Sequence, residues 1–150
     1  MNARYLHTNL IAEDWRSLAR FYQDVFGCVP VPPERSYAGH ELERATGLDG
    51  IGLQGAHLRL PGLGDDGPTL EIFQYESQPG RTEIAVNRPG FTHLAFSVDD
   101  VSAAREEVLG AGGTAVGEIV VVGMADGRRV EWCYVRDPEG NMIELQAMKA

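Results

Sequence analysis

Apolar positions along this chain switch twice from a period of two to a period near 3.6, at matching places. Tyr5–Leu10 and Phe91–Val98 alternate apolar and polar residues, which reads as a strand with one buried face. A helix pattern follows each run. Asp14 is placed as an N-cap, with Trp15, Leu18, Ala19, Tyr22, Val25 and Phe26 at helical spacing and Gly27 just past the end. The second copy is weaker: Asp100 caps Val101, Ala104, Val108 and Leu109, and the helix ends within Gly110–Gly113. Three further strands complete each half, at Val29–Val31, Ile51–Leu60 and Leu70–Tyr75, then at Glu118–Gly123, Arg129–Arg136 and Met142–Ala147. Asp126–Gly127 supplies a hairpin turn, and Asp137–Pro138–Glu139–Gly140 leads into the last strand. The pattern predicts an α+β fold made of β-α-β-β-β twice.

The two halves repeat each other in sequence as well as in pattern. His7 precedes Asp14 and Gly27 at the same intervals by which His93 precedes Asp100 and Gly113. GPTLEIF places Glu71 after Gly67 just as GNMIELQ places Glu144 after Gly140. A single domain over residues 1–150 is expected, with one module at about 1–75, a linker at 76–90 and a second module at about 91–150. Pro79–Gly80 and Pro89–Gly90 mark the linker as turn-rich. The His pair is offset by 86 and the Glu pair by 73, so the first module carries thirteen extra residues. These are assigned to a long polar insertion, Pro32–Gly50, containing a short helix around His40–Thr46 that ends at Gly47.

Strand parity then sorts the polar residues. Tyr5, His7 and Asn9 share one face of the first strand, opposite Leu6, Thr8 and Leu10. Phe91, His93, Ala95 and Ser97 likewise oppose Leu94, Phe96 and Val98. Glu71 and Phe73 oppose Leu70 and Ile72, while Met142, Glu144 and Gln146 oppose Ile143 and Leu145. Aliphatics therefore take one face, under a helix, and a His or Glu takes the other. Two imidazoles and two carboxylates are a recognisable ligand set for one divalent ion, provided the sheets curve towards each other and bring the four together. A carboxylate central in its strand, twice over, is costly to bury without a cation or proton as partner.

Composition narrows the partners. With 43% hydrophobic and 23% charged residues the chain reads as an ordinary globular protein. The net charge of −9 and the lack of any Lys/Arg run argue against nucleic acid. No window approaches the roughly 18 apolar residues of a membrane helix, and the N-terminus has no signal-peptide core. A cytoplasmic protein with no membrane partner is expected, and Cys28 and Cys133, which do not match between repeats, are expected to be free thiols.

GFTHLAFSVDDV, YVRDPEGNMIELQ and LHTNLIAEDWRSLARFYQDVFG together resemble the vicinal oxygen chelate superfamily, which includes glyoxalase I, methylmalonyl-CoA epimerase, extradiol dioxygenases and the bleomycin- and fosfomycin-resistance proteins. The resemblance covers nearly the whole chain. It implies paired βαβββ modules forming a curved, barrel-like mixed sheet around a metal cavity, with His7, Glu71, His93 and Glu144 as ligands. It also implies one divalent ion (Zn, Ni, Co, Mn or Fe), a small-molecule substrate chelated through adjacent oxygens, and a homodimer. Thr92–His93 departs from the His-His of the epimerases, and DPEGNMIEL is nearer the glyoxalase ending.

The function that this implies is a metal-dependent lyase or isomerase working through a metal-stabilised enolate, with Glu144 as first candidate for the base and Glu71 as second. Tyr5, Asn9, Phe73, Phe91 and Met142, with Trp132, are the candidate groove residues for substrate. A metal-free sequestering protein of the bleomycin-resistance type is the alternative. An Fe(II) dioxygenase ranks third, because a second carboxylate would occupy the face that such enzymes leave open to O₂. His57 and Arg59 share a parity suited to an anionic substrate but are assigned to a solvated strand face; Arg35, Glu41, Glu43 and Arg44 in the insertion could close over the cavity but are assigned to surface charge.

Overall fold

The computed structural model describes residues 1–149. Each half builds the predicted β-α-β-β-β unit, and the first adds a short helix. In chain order these are β1 (His7–Ile11), α1 (Trp15–Phe26), β2 (Val29–Ala38), α2 (His40–Thr46), β3 (Gly52–Arg59) and β4 (Thr69–Tyr75). The second half follows with β5 (His93–Ser97), α3 (Val101–Gly110), β6 (Thr114–Gly123), β7 (Arg129–Arg136) and β8 (Met142–Lys149). The chain divides into two compact units, Met1–Gly80 and the part from Arg81 onward. The division falls inside the expected linker. Beyond it Arg81 is held to Glu139 at 2.8 Å and to Asn141 at 3.2 Å, which ties this part of the linker to the second unit.

Each unit is a four-stranded mixed sheet, ordered β1-β4-β3-β2 in the first and β5-β8-β7-β6 in the second. The opening strand runs parallel to the closing one, β1 with β4 and β5 with β8, and the remaining pairs are antiparallel. One face of each sheet is covered by the helix, as the parity argument requires. In the first unit Leu58, Leu70 and Ile72 are wholly buried beneath α1, which contributes Leu18 and Tyr22. In the second, Val101 and Val108 of α3 meet the face of Val135, Ile143 and Leu145. Burying these aliphatics is the main force holding each unit together.

Local signals set the ends of α1. The Asp14 carboxylate accepts from the backbone N–H groups of Arg16 and Ser17, both at 3.1 Å. Gly27 closes the helix at φ 67°, a left-handed conformation that glycine adopts without strain. Phe21 is buried too, a core residue that the spacing had not picked out.

Four strands differ from expectation: β1, β2 and β5, and also β6, which starts at Thr114, four residues before the expected Glu118. The first part of the segment read as a long polar insertion is strand: β2 runs on through Pro32 and Pro33 to Ala38. Edge position explains it, since β2 pairs only with β3 and half of its N–H groups need no partner. The register shift between Val31 and Arg35 has a counterpart between Val116 and Val120 of β6, so the extra residues of the first module sit instead mainly around α2, between β2 and β3, and in the turn between β3 and β4. The short helix does form at His40–Thr46 and ends at Gly47. The opening strands begin at His7 and His93, two residues later than the alternation suggests. Pairing starts there opposite Thr69 and Met142, which follow Pro68 and the Asp137–Gly140 turn.

Candidate metal centre

Register, more than parity, builds the site. On the helix-free face of the first sheet, Asn9 of β1, Glu71 of β4 and His57 of β3 lie in one row across the strands. The next row holds Ile11, Phe73, Gly55 and Arg35. Side chains in a row stand about 4.5–5.5 Å apart at Cβ, so the donors of the first row meet.

Glu71 is the centre of this cluster. Its Oε1 is 2.8 Å from His57 Nε2, and its Oε2 lies 3.5 Å from His7 Nε2 and accepts from the Asn9 amide at 2.8 Å. The Glu71 side chain is only 13% exposed, and His57 is 18% exposed. One ligand atom from each of His7, His57 and Glu71 lies within 4.8 Å of the other two. The far nitrogen of His57 faces Thr69 Oγ1 at 3.0 Å. That contact suits either tautomer: the hydroxyl donates to Nδ1 when Nε2–H points at Glu71, and accepts from Nδ1–H when Nε2 is needed elsewhere. His7 Nδ1 is buried with no hydrogen-bond partner, a cost carried inside the cluster.

The donor set fits a divalent ion. Two imidazoles and a carboxylate are borderline ligands that suit Zn, Ni, Co, Mn or Fe, and they leave coordination positions for substrate oxygens. His7, His57 and Glu71 would hold the ion. Burial pushes the His57 pKa below its ordinary value; Glu71 opposes that shift, while the nearby Arg35 guanidinium and His7 reinforce it. His57 is therefore neutral at pH 7, the form in which a ring nitrogen can ligate. By linkage, the unfolded chain takes the proton more readily, so this residue's contribution to stability is intact above about pH 6.5 and is lost as pH falls through the folded-state value. In an NMR titration of metal-free protein, His57 is expected to titrate below 6.5, and His57→Gln is expected to flatten the acid limb of the stability curve. A His57 that titrates at or above the ordinary value would contradict this.

The second sheet repeats part of the arrangement. His93 Nε2 stands 3.0 Å from Glu144 Oε2, and the His93 ring meets Tyr134 at 5.2 Å between centroids. In register, Tyr134 takes the place of His57 and Ala95 that of Asn9. Among the described residues the three-donor cluster is found in the first unit alone.

Parity thus located His7, Glu71, His93 and Glu144 on the faces expected, and each His beside a Glu of its own sheet. His57, assigned from sequence to a solvated strand face, is instead half-buried against Glu71. The signal was present, since His57 and Arg59 share a parity. The register of β3 on β4, which puts His57 opposite Glu71 rather than two residues away, is not written in the spacing. Among the groove candidates, Asn9 bonds Glu71, Phe73 packs edge-on to His57 with centroids 6.1 Å apart, and Met142 is buried opposite His93. Tyr5 and Phe91 precede their strands and are exposed; the Tyr5 hydroxyl bonds Thr8. Cys28 and Cys133 are free and buried, and burial raises the Cys28 thiol to about 11, so neither is a nucleophile.

Known proteins share this architecture. The chain is 30% identical over 146 residues to a protein of Vibrio parahaemolyticus named as a probable lactoylglutathione lyase, covering 96% of this chain and 90% of that one. A glyoxalase family protein of Bacillus cereus superposes with a TM-score of 0.74 at 20% identity, covering 100% and 95% of the two chains. A fosfomycin resistance protein of Listeria monocytogenes, solved with Mn(II) and sulfate, superposes with a TM-score of 0.57 at 15% identity, covering 98% and 93%. These two structures speak to the fold. Residues 4–145 match the model of one family, so the chain belongs to the Glyoxalase/Bleomycin resistance protein/Dioxygenase superfamily.

Proposed function

We propose that this protein is a divalent-metal-dependent lyase or isomerase of glyoxalase type, acting on a small metabolite that presents adjacent oxygens. The observation that carries the reading is the His7–His57–Glu71 cluster on one sheet face, with a half-buried carboxylate between two imidazoles. The relative named as a probable lactoylglutathione lyase supports the reaction class. A bound divalent ion would polarise a substrate carbonyl and make the neighbouring C–H easier to deprotonate. Glu71 is held in place by the Asn9 amide and His57. Thr69 orients His57, and Phe73 walls the cluster with an apolar ring.

His93 and Glu144 are proposed as the second module's ligand and base. Glu144 suits a proton acceptor better than Glu71 does, because Ala95 and Tyr134 stand where Asn9 and His57 restrain Glu71. A base has to change partners during turnover, and a carboxylate fixed at both oxygens does so at greater cost.

The test is metal stoichiometry by elemental analysis of protein purified without a metal-affinity tag, run for wild type, His7→Ala and His93→Ala. One equivalent of a divalent metal in wild type, lost in His7→Ala, is the expected result. Loss in His93→Ala as well would make the four repeat-related residues one ligand set; retention there would mean that the first module's donors suffice. Wild type that stays empty after incubation with Zn, Ni, Co, Mn and Fe(II) would sink the metalloenzyme and leave a sequestering protein as the better account.

A further inference from the structure

Arg35 lies on the same sheet face as the metal cluster, one row further along. It pairs in register with Gly55, whose row is next to that of His57 and Glu71. Its Nη1 is buried and has no hydrogen-bond partner. No ion pair or hydrogen bond involves Arg35 among the described residues. The acidic neighbour Glu34 is engaged elsewhere, bound through both oxygens by Arg16 at 2.8 and 2.9 Å. In a chain of net charge −9, a half-buried guanidinium without a carboxylate is anomalous. Arginine stays protonated whatever its surroundings, so the charge cannot be shed and the missing acceptor is a standing cost. An arriving anion would relieve that cost through charge-assisted bonds, bidentate where the anion is a carboxylate.

Position says which anion. Arg35 stands in the row of Gly55 and Phe73, directly beside the row that holds His57 and Glu71. The Phe73 ring stands beside the cluster, edge-on to His57 and to Tyr37 of β2, at 6.1 and 6.3 Å between centroids. Gly55 leaves the intervening place without a side chain, and the Phe73 ring occupies part of it. We infer that Arg35 recognises a carboxylate carried by the substrate, so that the metabolite acted on at the His7–His57–Glu71 cluster is an anion with a negative group set apart from its chelating oxygens. The inference rests on the metal reading for the chelating end and on Arg35 alone for the distal end. It names the substrate class as 2-oxo or 2-hydroxy compounds with a second, distal carboxylate.

Two acids that differ only at that distal end make the test: 2-oxoglutarate and 2-oxopentanoate, titrated by calorimetry into zinc-loaded protein. Wild type is expected to favour 2-oxoglutarate by about tenfold or more, the scale of one charge-assisted interaction. Arg35→Gln is expected to erase the preference and to leave zinc uptake unchanged. Arg35→Lys, which keeps the charge and controls for packing, should retain part of it. Equal affinities in wild type, or a preference that survives Arg35→Gln, would overturn the role of Arg35 while the metal reading stood. If wild type takes up no zinc, the metal reading fails separately. Acetate titrated into metal-free protein then decides the matter for Arg35: movement of its Nε–H resonance supports the inference, and an unmoved resonance overturns it.

Discussion

Glu71→Gln is expected to weaken divalent-metal binding by more than about 100-fold, beyond the roughly 10- to 100-fold that follows loss of an outer hydrogen-bond partner. The substitution keeps the shape of the side chain and removes its charge. Glu71 now accepts at both oxygens, from His57 at Oε1 and from the Asn9 amide at Oε2, with His7 Nε2 at 3.5 Å. An amide offers one acceptor and one donor: with its NH₂ towards Asn9 two donors meet, and with its oxygen towards Asn9 the NH₂ is satisfied only if His57 takes the other tautomer, Nδ1–H on Thr69 and Nε2 accepting. The cluster then loses its anion, and a His57 Nε2 that accepts from the amide is no longer free to ligate. Asn9→Ala makes the natural comparison, because it removes a partner of Glu71 and no candidate ligand. It should fall inside the 10- to 100-fold range. Competition against a chromophoric chelator measures both, with circular dichroism confirming the fold. A Glu71→Gln protein that binds metal within a few-fold of wild type would remove Glu71 from the ligand set. Catalytic loss alone would be uninformative, because it could reflect either metal loss or a missing base.

The contrast between His57 and His7 shows what sequence can and cannot carry about such a site. His7 and Glu71 were legible because each has a repeat-related copy, His93 and Glu144, and because the period-two alternation fixes their face. His57 has no copy. The second module places Tyr134 there, so the repeat argument passes over it. Its partnership with Glu71 depends on how β3 is registered against β4, across a turn of nine residues, and a slip of one residue would send it to the opposite face. Arg35 was hidden for a related reason. Its segment falls in the stretch read as a polar insertion, Pro32–Gly50, yet an edge strand with a register shift accommodates Pro32 and Pro33 and places Arg35 opposite Gly55. Module order, helix caps and core faces are local properties, and these were readable. Cross-strand neighbours are not local, and the site is made of them.

Gly55→Ala is expected to destabilise the first unit by at least about 3 kcal/mol, at the upper end of overpacking effects, and to disrupt metal binding with it. A Cβ at Gly55 would lie 2.0 Å from the Ile72 carbonyl oxygen and 2.4 Å from Cδ1 of Phe73. The ring can turn aside. The carbonyl belongs to the backbone of β4, where Ile72 is wholly buried under the helix, so relief requires β3 to move away from β4. That is the strand pair that sets His57 opposite Glu71, and two residues along β3 is close enough for the displacement to reach them. Stability and site should therefore fail together: a lower denaturant midpoint, and metal affinity reduced even at temperatures where the variant is folded. A variant of the neighbouring exposed residue, Gln54→Ala, points away from Phe73 and should change neither by much. An unchanged midpoint in Gly55→Ala would show that β3 and β4 have slack at this crossing. Loss of stability with metal affinity intact would instead show that the pairing of His57 with Glu71 does not depend on the close approach at Gly55.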